Sequence, residues 1–209
     1  MKSRIIAFLH TSDVHIPRFE KLVRKYDKEV VTKHFVNKEL LNTALLEGKT
    51  DTLSFNQEVE KIKREEPSLL ICTCSTYGAE CENHNDIERI DRPVVEYLVA
   101  RYNTIGLAYT AHSTKAVSED LISKVASGQK RKTAIVPCDC SQSWPYFEQG
   151  NHTAYWKAIA DKIKSVHSRV DVIFLAQASM EGAKEYLTTI EKEVFSSPEF
   201  GISAFLNQR

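Results

Sequence analysis

The sequence predicts an α/β protein made of two similar parallel-sheet domains with a cleft between them. Three observations carry this. Six strand-like runs alternate with amphipathic helical patterns, the order expected of βαβ units. The strand-helix pattern runs twice, a first set ending near residue 92 and a second starting at "NTIGLAYT" (103–110). The chain has 209 residues, a length at which roughly 70% of the unfolded surface can be buried, in one large domain or two small ones.

The first strand is expected at "RIIAFLH" (4–10), followed by a helix over "RFEKLVRKY" (18–26) with Pro17 at its first turn, where a missing N–H does no harm. "EVVTKHFV" (29–36) reads as the second strand. "FNQEVEKIKREE" (55–66) carries apolar residues at helical spacing and ends in acids before Pro67, and "LLICTCS" (69–75) then forms the third strand. "RPVVEYLVARY" (92–102) is a helix with Pro93 in its first turn and Asp91 as a possible N-cap. The second half repeats the alternation. "TIGLAYT" (104–110) leads to "KAVSEDLISKVA" (115–126), with Ser113 able to cap it, and "KTAIVPCD" (132–139) to "TAYWKAIADKIKSVH" (153–167), before a last strand at "DVIFLAQAS" (171–179). Parallel strands imply right-handed crossovers. No 20–50-residue repeat and no low-complexity tract stands out. The first domain is expected over 1–102 and the second over 103–185.

Charge and composition narrow the function classes. Lys+Arg and Asp+Glu are both 28, and no basic stripe is present to neutralise a phosphate backbone, so nucleic acid is not expected as a partner. The opening "MKSRIIAFLHTS" has too short an apolar run for a signal peptide, and no run approaches about 18 apolar residues, so no membrane is expected and a cytoplasmic location is. The five cysteines, Cys72, Cys74, Cys81, Cys138 and Cys140, are an odd number in a chain of this length and are expected to be reduced. Two C-x-C pairs do not have the C-x2-4-C spacing of structural zinc, and no metal site is expected.

In open parallel sheets the carboxyl ends of the strands meet the ligand. Four of these ends are rich in short donors: His10-Thr11-Ser12, Cys74-Ser75-Thr76, Thr110 with Ser113-Thr114, and Gln177-Ala178-Ser179. Each precedes a segment able to start a helix, whose free N–H groups favour a carboxylate or phosphate. Ser and Thr are also ordinary caps at such turns, but four together point to a small anionic ligand. Cys74, at a strand end beside a helix N-terminus, is expected to have a lowered pKa and to be reactive. Cys72, two residues earlier on the same face, is read as packing.

These segments resemble the aspartate/glutamate/hydantoin racemase superfamily, specifically its one-cysteine relatives. "CTCSTYG" resembles the cysteine turn of the first domain, "GLAYTAHST" (106–114) the Thr-rich turn of the second, "VIFLAQASMEGA" (172–183) the second cysteine turn, and "VFSSPEFGI" (194–202) the closing segment. The similarity runs through nearly the whole chain. It implies two flavodoxin-like domains related by pseudo-twofold symmetry, an active site in the cleft between them, a C-terminal segment (186–209) returning to the first domain, and a homodimer. The chemistry it implies needs no cofactor: a cysteine removes the proton next to a carboxylate or carbonyl of a small carboxylate or amino-acid-like substrate, and a second cysteine returns one. Carried over, Cys74 is the acid/base or nucleophile, and Ser75, Thr76, Thr110, Ser113 and Thr114 are carboxylate donors.

The departure is Gln177, which stands where the second cysteine belongs; an amide cannot shuttle protons at neutral pH. Either Ser179, His10 or His112 supplies the other face, or one thiol suffices, as in relatives that decarboxylate substituted malonates or isomerise maleate-type substrates, with Gln177 a donor to a substrate oxygen. The competing class is a non-catalytic member that binds a small anionic metabolite. His10 and Thr11 end the first strand and are read as substrate-binding, with a structural histidine as the other reading of His10. Asp13 falls in the same loop. Asp91-Arg92 offers a guanidinium for a second carboxylate, or else a cap and a solvated charge. "SWPYFEQGNH" (143–152) reads as a loop whose Trp144, Tyr146 and Phe147 pack beneath it or wall a pocket.

Overall fold

The structure, a computed structural model, describes residues 4–207. It divides into two compact units, 1–91 with 198–209, and 92–197.

In the first unit, β1 (Ile5–His10), β2 (Val31–Val36), β3 (Leu69–Cys72) and β4 (Glu88–Arg89) form an all-parallel sheet in the order β2-β1-β3-β4. Alternate side chains of β1 fill opposite faces, as the pleat requires. Ile6 and Phe8 pack with Phe19 and Val23 of α1 (Ile16–Tyr26) and Ile202 of α9 (Ser197–Asn207). Ala7 and Leu9 pack with Leu40 and Ala44 of α2 (Lys38–Glu47) and with Phe55, Val59 and Ile62 of α3 (Thr52–Lys63). The side chains of Asn37 and Asp51 cap α2 and α3, accepting from the amides of Glu39 and Ser54. Pro17 lies in the first turn of α1.

A short helix, α4 (Gly78–Cys81), lies against a buried ion cluster. Arg89 donates to both carboxylate oxygens of Asp91 (2.7 and 3.0 Å) and to Glu82 (3.0 Å), with only 3% of Arg89 and 1% of Asp91 exposed. A Cβ at Gly78 would collide with the guanidinium, so glycine there admits the arginine. Asp91 serves this arginine.

In the second unit, β5 (Thr104–Tyr109), β6 (Ala134–Asp139), β7 (Val172–Leu175) and β8 (Val194–Ser196) repeat the same parallel order, β6-β5-β7-β8. One face is covered by α8 (His152–Lys164), whose Tyr155, Ile159, Ala160 and Ile163 bury against Ile173, Leu175, Cys138 and Met180. Helix α5 (Arg92–Arg101) also belongs here, packed on α6 (His112–Gly128), with Tyr97 against Phe195 of β8 (ring centroids 5.4 Å).

Several boundaries differ from the sequence reading. The division falls after residue 91 instead of 102, because α5 packs on α6. The return to the first unit begins at 198 and not 186, because 194–196 forms β8 beside β7. The expected strands 69–75 and 171–179 pair only through Cys72 and Leu175, leaving Cys74 and Gln177 in the loops beyond. Ala111, not Ser113, is the N-cap of α6. The expected loop 143–152 contains a short helix, α7 (Trp144–Glu148). Among the described residues no helix is long and apolar enough to cross a membrane.

Candidate functional site

The two units carry matching constructions at the carboxyl ends of their sheets. In the first, Thr11 follows β1 by one residue and Cys74 follows β3 by two, and their side chains are hydrogen-bonded. In the second, Thr110 follows β5 by one and Gln177 follows β7 by two, and these are bonded as well: the backbone N–H of Thr110 donates to Gln177 Oε1 at 2.7 Å and its hydroxyl at 2.9 Å. The strands hold the spacing. Thr73 N–H donates to Leu9 O (3.0 Å) in one unit and Ala176 N–H to Ala108 O (2.9 Å) in the other, carrying the pairing one residue past each third strand.

Cys74 is extended (φ −94°, ψ 109°) and opens a 3-10 turn, Ser75–Tyr77. The Thr11 hydroxyl is bonded to the Cys74 side chain, and the amides of Thr76 and Tyr77 also favour its charged form, the Tyr77 N–H while donating to Cys74 O at 3.1 Å. These donors favour a thiolate, but burial and the neighbouring Cys72 outweigh them and push the pKa up to about 11. This overturns the expected lowered pKa: the helix start invoked for it is a three-residue turn, too short for an appreciable dipole, and desolvation disfavours the charge. At neutral pH Cys74 is a half-buried neutral thiol able to give a proton. Ser75 and Thr76 are buried in the same turn. Cys72 is core, its thiol donating to Cys74 O at 3.7 Å.

His10 is fully buried and both ring nitrogens are engaged within the unit. Nδ1 meets Thr73 Oγ1 and Nε2 meets His34 Nδ1, each at 2.8 Å. The Thr73 hydroxyl also lies 3.3 Å from Leu9 O, as a donor to it. That direction makes Thr73 an acceptor from His10 Nδ1–H and leaves His10 Nε2 to accept from His34 Nδ1–H. The rings of Phe8, His10 and His34 stack at 5.1 to 5.7 Å. Burial, with the neighbouring imidazoles, lowers the His10 pKa to about 3, and burial lowers that of His34. His10 is therefore a buried, neutral histidine with both ring nitrogens engaged within its own unit.

In the second unit Gln177 opens the 3-10 segment Ala178–Tyr186. Its amide orientation is forced: the atom receiving the Thr110 backbone N–H must be oxygen, so Nε2 carries the remaining donors. Thr110 Oγ1 lies 3.3 Å from the Tyr155 hydroxyl, which meets Ser179 Oγ at 2.9 Å. Burial pushes the Tyr155 pKa up to about 12, so this phenol stays protonated. Thr114 is buried in α6 and Ser113 is half-buried beside it.

Sequence reading missed Thr73, His34 and Tyr155. Tyr155 was legible only as a core residue, one of the apolar positions of α8. It also missed an open cavity of about 440 Å3 in the second unit, lined by Asp139, Cys140, Ser143, Tyr146 and Lys162 among others. Tyr146 is thus a wall residue, whereas Trp144 and Phe147 pack on the core. Asp13 pairs with Lys38 at 2.8 Å. Among the described residues no group of three or more His, Cys, Asp or Glu is placed to hold a metal ion.

No family model matches the chain, and no curated protein matches its sequence. Solved structures do. Aspartate racemase of Picrophilus torridus aligns with a TM-score of 0.75 at 16% identity over 99% of this chain and 95% of its own. A glutamate racemase isoform of Bacillus anthracis aligns with a TM-score of 0.73 at 13% identity over 99% and 82%. The Gly74Cys mutant of arylmalonate decarboxylase, in a sulfate-associated form, aligns with a TM-score of 0.54 at 10% identity over 98% and 94%. At these identities the likeness is one of fold: the chain has the two-unit α/β fold of these racemases.

Proposed function

We propose that the protein is a cofactor-independent isomerase or lyase of racemase type, acting at the carbon next to a carboxylate of a small substrate through one thiol, Cys74. The observation that carries this reading is the Cys74 turn: a thiol after the third strand, bonded to the Thr11 hydroxyl, with the nearby amides of Thr76 and Tyr77 favouring its charged form. The fold neighbours, racemases and a decarboxylase, are named for reactions of this kind.

The protonation state favours the lyase side of the pair. A thiol whose pKa is raised to about 11 is a poor resting base but holds a proton ready for a carbanion. In a decarboxylation the substrate's C–C bond breaks, carbon dioxide leaves with the carboxyl carbon, and the electron pair stays as an enediolate. Cys74 then gives its S–H proton to that carbon and recovers one from water. Ser75, Thr76, Ser113 and Thr114 are proposed to hold carboxylate oxygens, Thr11 to orient the Cys74 sulfur, Thr110 to fix Gln177, the Gln177 Nε2–H to stabilise developing negative charge, and Ser179 to bind substrate. His10, neutral and engaged on both nitrogens, is proposed to brace the first-unit turn through Thr73.

A second reading, a member that binds a small anionic metabolite without turnover, is favoured by Gln177, whose amide is locked by Thr110 and moves no proton. The experiment that separates the two is proton–deuterium exchange followed by NMR. The protein and Cys74→Ala are incubated in D2O with amino acids, hydantoins, substituted malonates and maleate. Deuteration or product formation that disappears in the variant supports one-thiol chemistry and identifies the substrate class. Binding by the same panel with no exchange and no product supports the second reading.

A further inference from the structure

The second unit holds a thiol pair that the proposed chemistry does not use. Cys138 is the fifth residue of β6, and Cys140 follows the strand by one residue on the same face. Their sulfurs are 3.9 Å apart, and the Cys140 thiol also lies 3.5 Å from Cys138 O. Both belong to the unit's core, with 0% and 4% exposed. Cys140, however, lines the open cavity of about 440 Å3, together with Gln142, Ser143, Tyr146 and Lys162. The first unit's C-x-C pair is arranged otherwise: the Cys72 thiol donates to the Cys74 carbonyl oxygen.

We propose that Cys138 and Cys140 form a peroxide-accessible dithiol, which a small hydroperoxide entering the cavity converts to a reversible disulfide. Three features support this. The sulfurs need to close by only roughly 2 Å to reach a disulfide bond length of about 2.05 Å. The cavity admits small polar molecules to Cys140, while 4% exposure excludes a bulky disulfide oxidant. The ammonium of Lys162, on the cavity wall, favours ionisation of both thiols against burial and the Asp139 carboxylate; the balance lowers the pKa of Cys138 and raises that of Cys140. The hydrogen bond from Cys140 holds the pair's first negative charge on Cys138, and transfer of that proton across the contact exposes a thiolate at Cys140.

The step balances. The Cys140 thiolate attacks one peroxide oxygen, the O–O bond breaks, and the departing hydroxide takes a proton to become water, leaving a sulfenic acid. Cys138 then attacks the Cys140 sulfur, the S–S bond forms, the S–O bond breaks and a second water leaves. Two thiols and one hydrogen peroxide give one disulfide and two waters, the peroxide receiving the two electrons that the sulfurs lose.

The test uses the unmodified full chain. After graded hydrogen peroxide and quenching, free thiols are alkylated and the chain is cut with trypsin. Segment 133–157 contains Cys138 and Cys140, and segment 65–89 contains Cys72, Cys74 and Cys81, with no internal Lys or Arg in either. The proposal predicts that 133–157 loses two hydrogens, about 2 Da, escapes alkylation, and regains both thiols with dithiothreitol. It predicts that this happens at least about tenfold faster than any loss of thiols from 65–89. The proposal is overturned if 133–157 keeps two alkylatable thiols, if it gains oxygen without losing hydrogens, or if 65–89 oxidises first. In Cys138→Ala the two-hydrogen loss must vanish and an oxygen adduct on Cys140 take its place; persistence of the loss in that variant overturns the pairing.

Discussion

The Thr11–Cys74 pair and the Thr110–Gln177 pair occupy the same two places in the same strand order, yet they are chemically opposite. In the first unit the threonine donates to a thiol that carries a labile proton. In the second it donates twice to a carbonyl oxygen and fixes an amide that carries none to give. The backbone frame is duplicated and the side chain at its tip decides the role. A thiol there can move a proton, whereas an amide there can only hold an anion or a partial charge.

The sharpest way to break the comparison is to exchange the tips for alanine once a substrate is found. Cys74→Ala removes the proton-bearing group and is expected to lower turnover by about 10²- to 10⁴-fold, measured by deuterium incorporation. Gln177→Ala removes the Nε2–H proposed to stabilise developing charge and is expected to lower turnover less, leaving exchange detectable. Equal losses in both variants would contradict the division of roles.

Acid sensitivity separates the two strand ends next. Behind Cys74 lie His10 and His34, both with lowered pKa, whereas the equivalent last residue of β5 is Tyr109, whose pKa burial raises to about 12. The unfolded chain binds a proton at His10 from about pH 6.5 downward, but the folded chain does so only near pH 3. The contribution is therefore complete above about 6.5 and lost progressively as pH falls toward 3, amounting to on the order of 5 kcal/mol. Urea unfolding at stepped pH, followed in the first unit, is expected to show this slope, and His10→Phe to flatten it while lowering the plateau. A slope unchanged by the substitution would remove His10 as its source.

Smaller effects sharpen the picture. Gln177→Leu leaves the Thr110 amide without its acceptor and is expected to cost about 1–3 kcal/mol in chemical denaturation. Thr11→Val removes one donor from Cys74 and is expected to cost about 0.5–1.5 kcal/mol. Since that donor favours the thiolate, the same variant should move the Cys74 pKa further up, read from the pH dependence of its alkylation.

The main strands and the longer helices were legible because their patterns are local: β1, β5 and β7 are apolar runs, and α1, α3 and α8 carry regular stripes. Strands β4 and β8, of two and three residues, are too short to leave a pattern. Helix α2 was missed because Leu40 and Ala44 are buried while Leu45 and Leu46 face outward, which blurs its stripe. The strand-end positions of Cys74, Thr110 and Gln177 were legible for the same local reason. Their protonation and bonding were not, because these are set across the fold. Thr73 reaches His10 from 63 residues away, and Gln177 reaches Thr110 from 67. Burial raised the Cys74 pKa against the local donors that suggested a fall.

The central claim is that Cys74 rests as a proton-bearing acid, and its ionisation tests this most directly. Alkylation of the native chain by iodoacetamide across pH, with Cys74 resolved by fragmentation of segment 65–89, gives its apparent pKa. The account predicts slow reaction at neutral pH and a rise toward a pKa of about 11. Rapid alkylation at pH 7, with an apparent pKa below the ordinary thiol value of about 8.5, would contradict it and restore a thiolate base at this position.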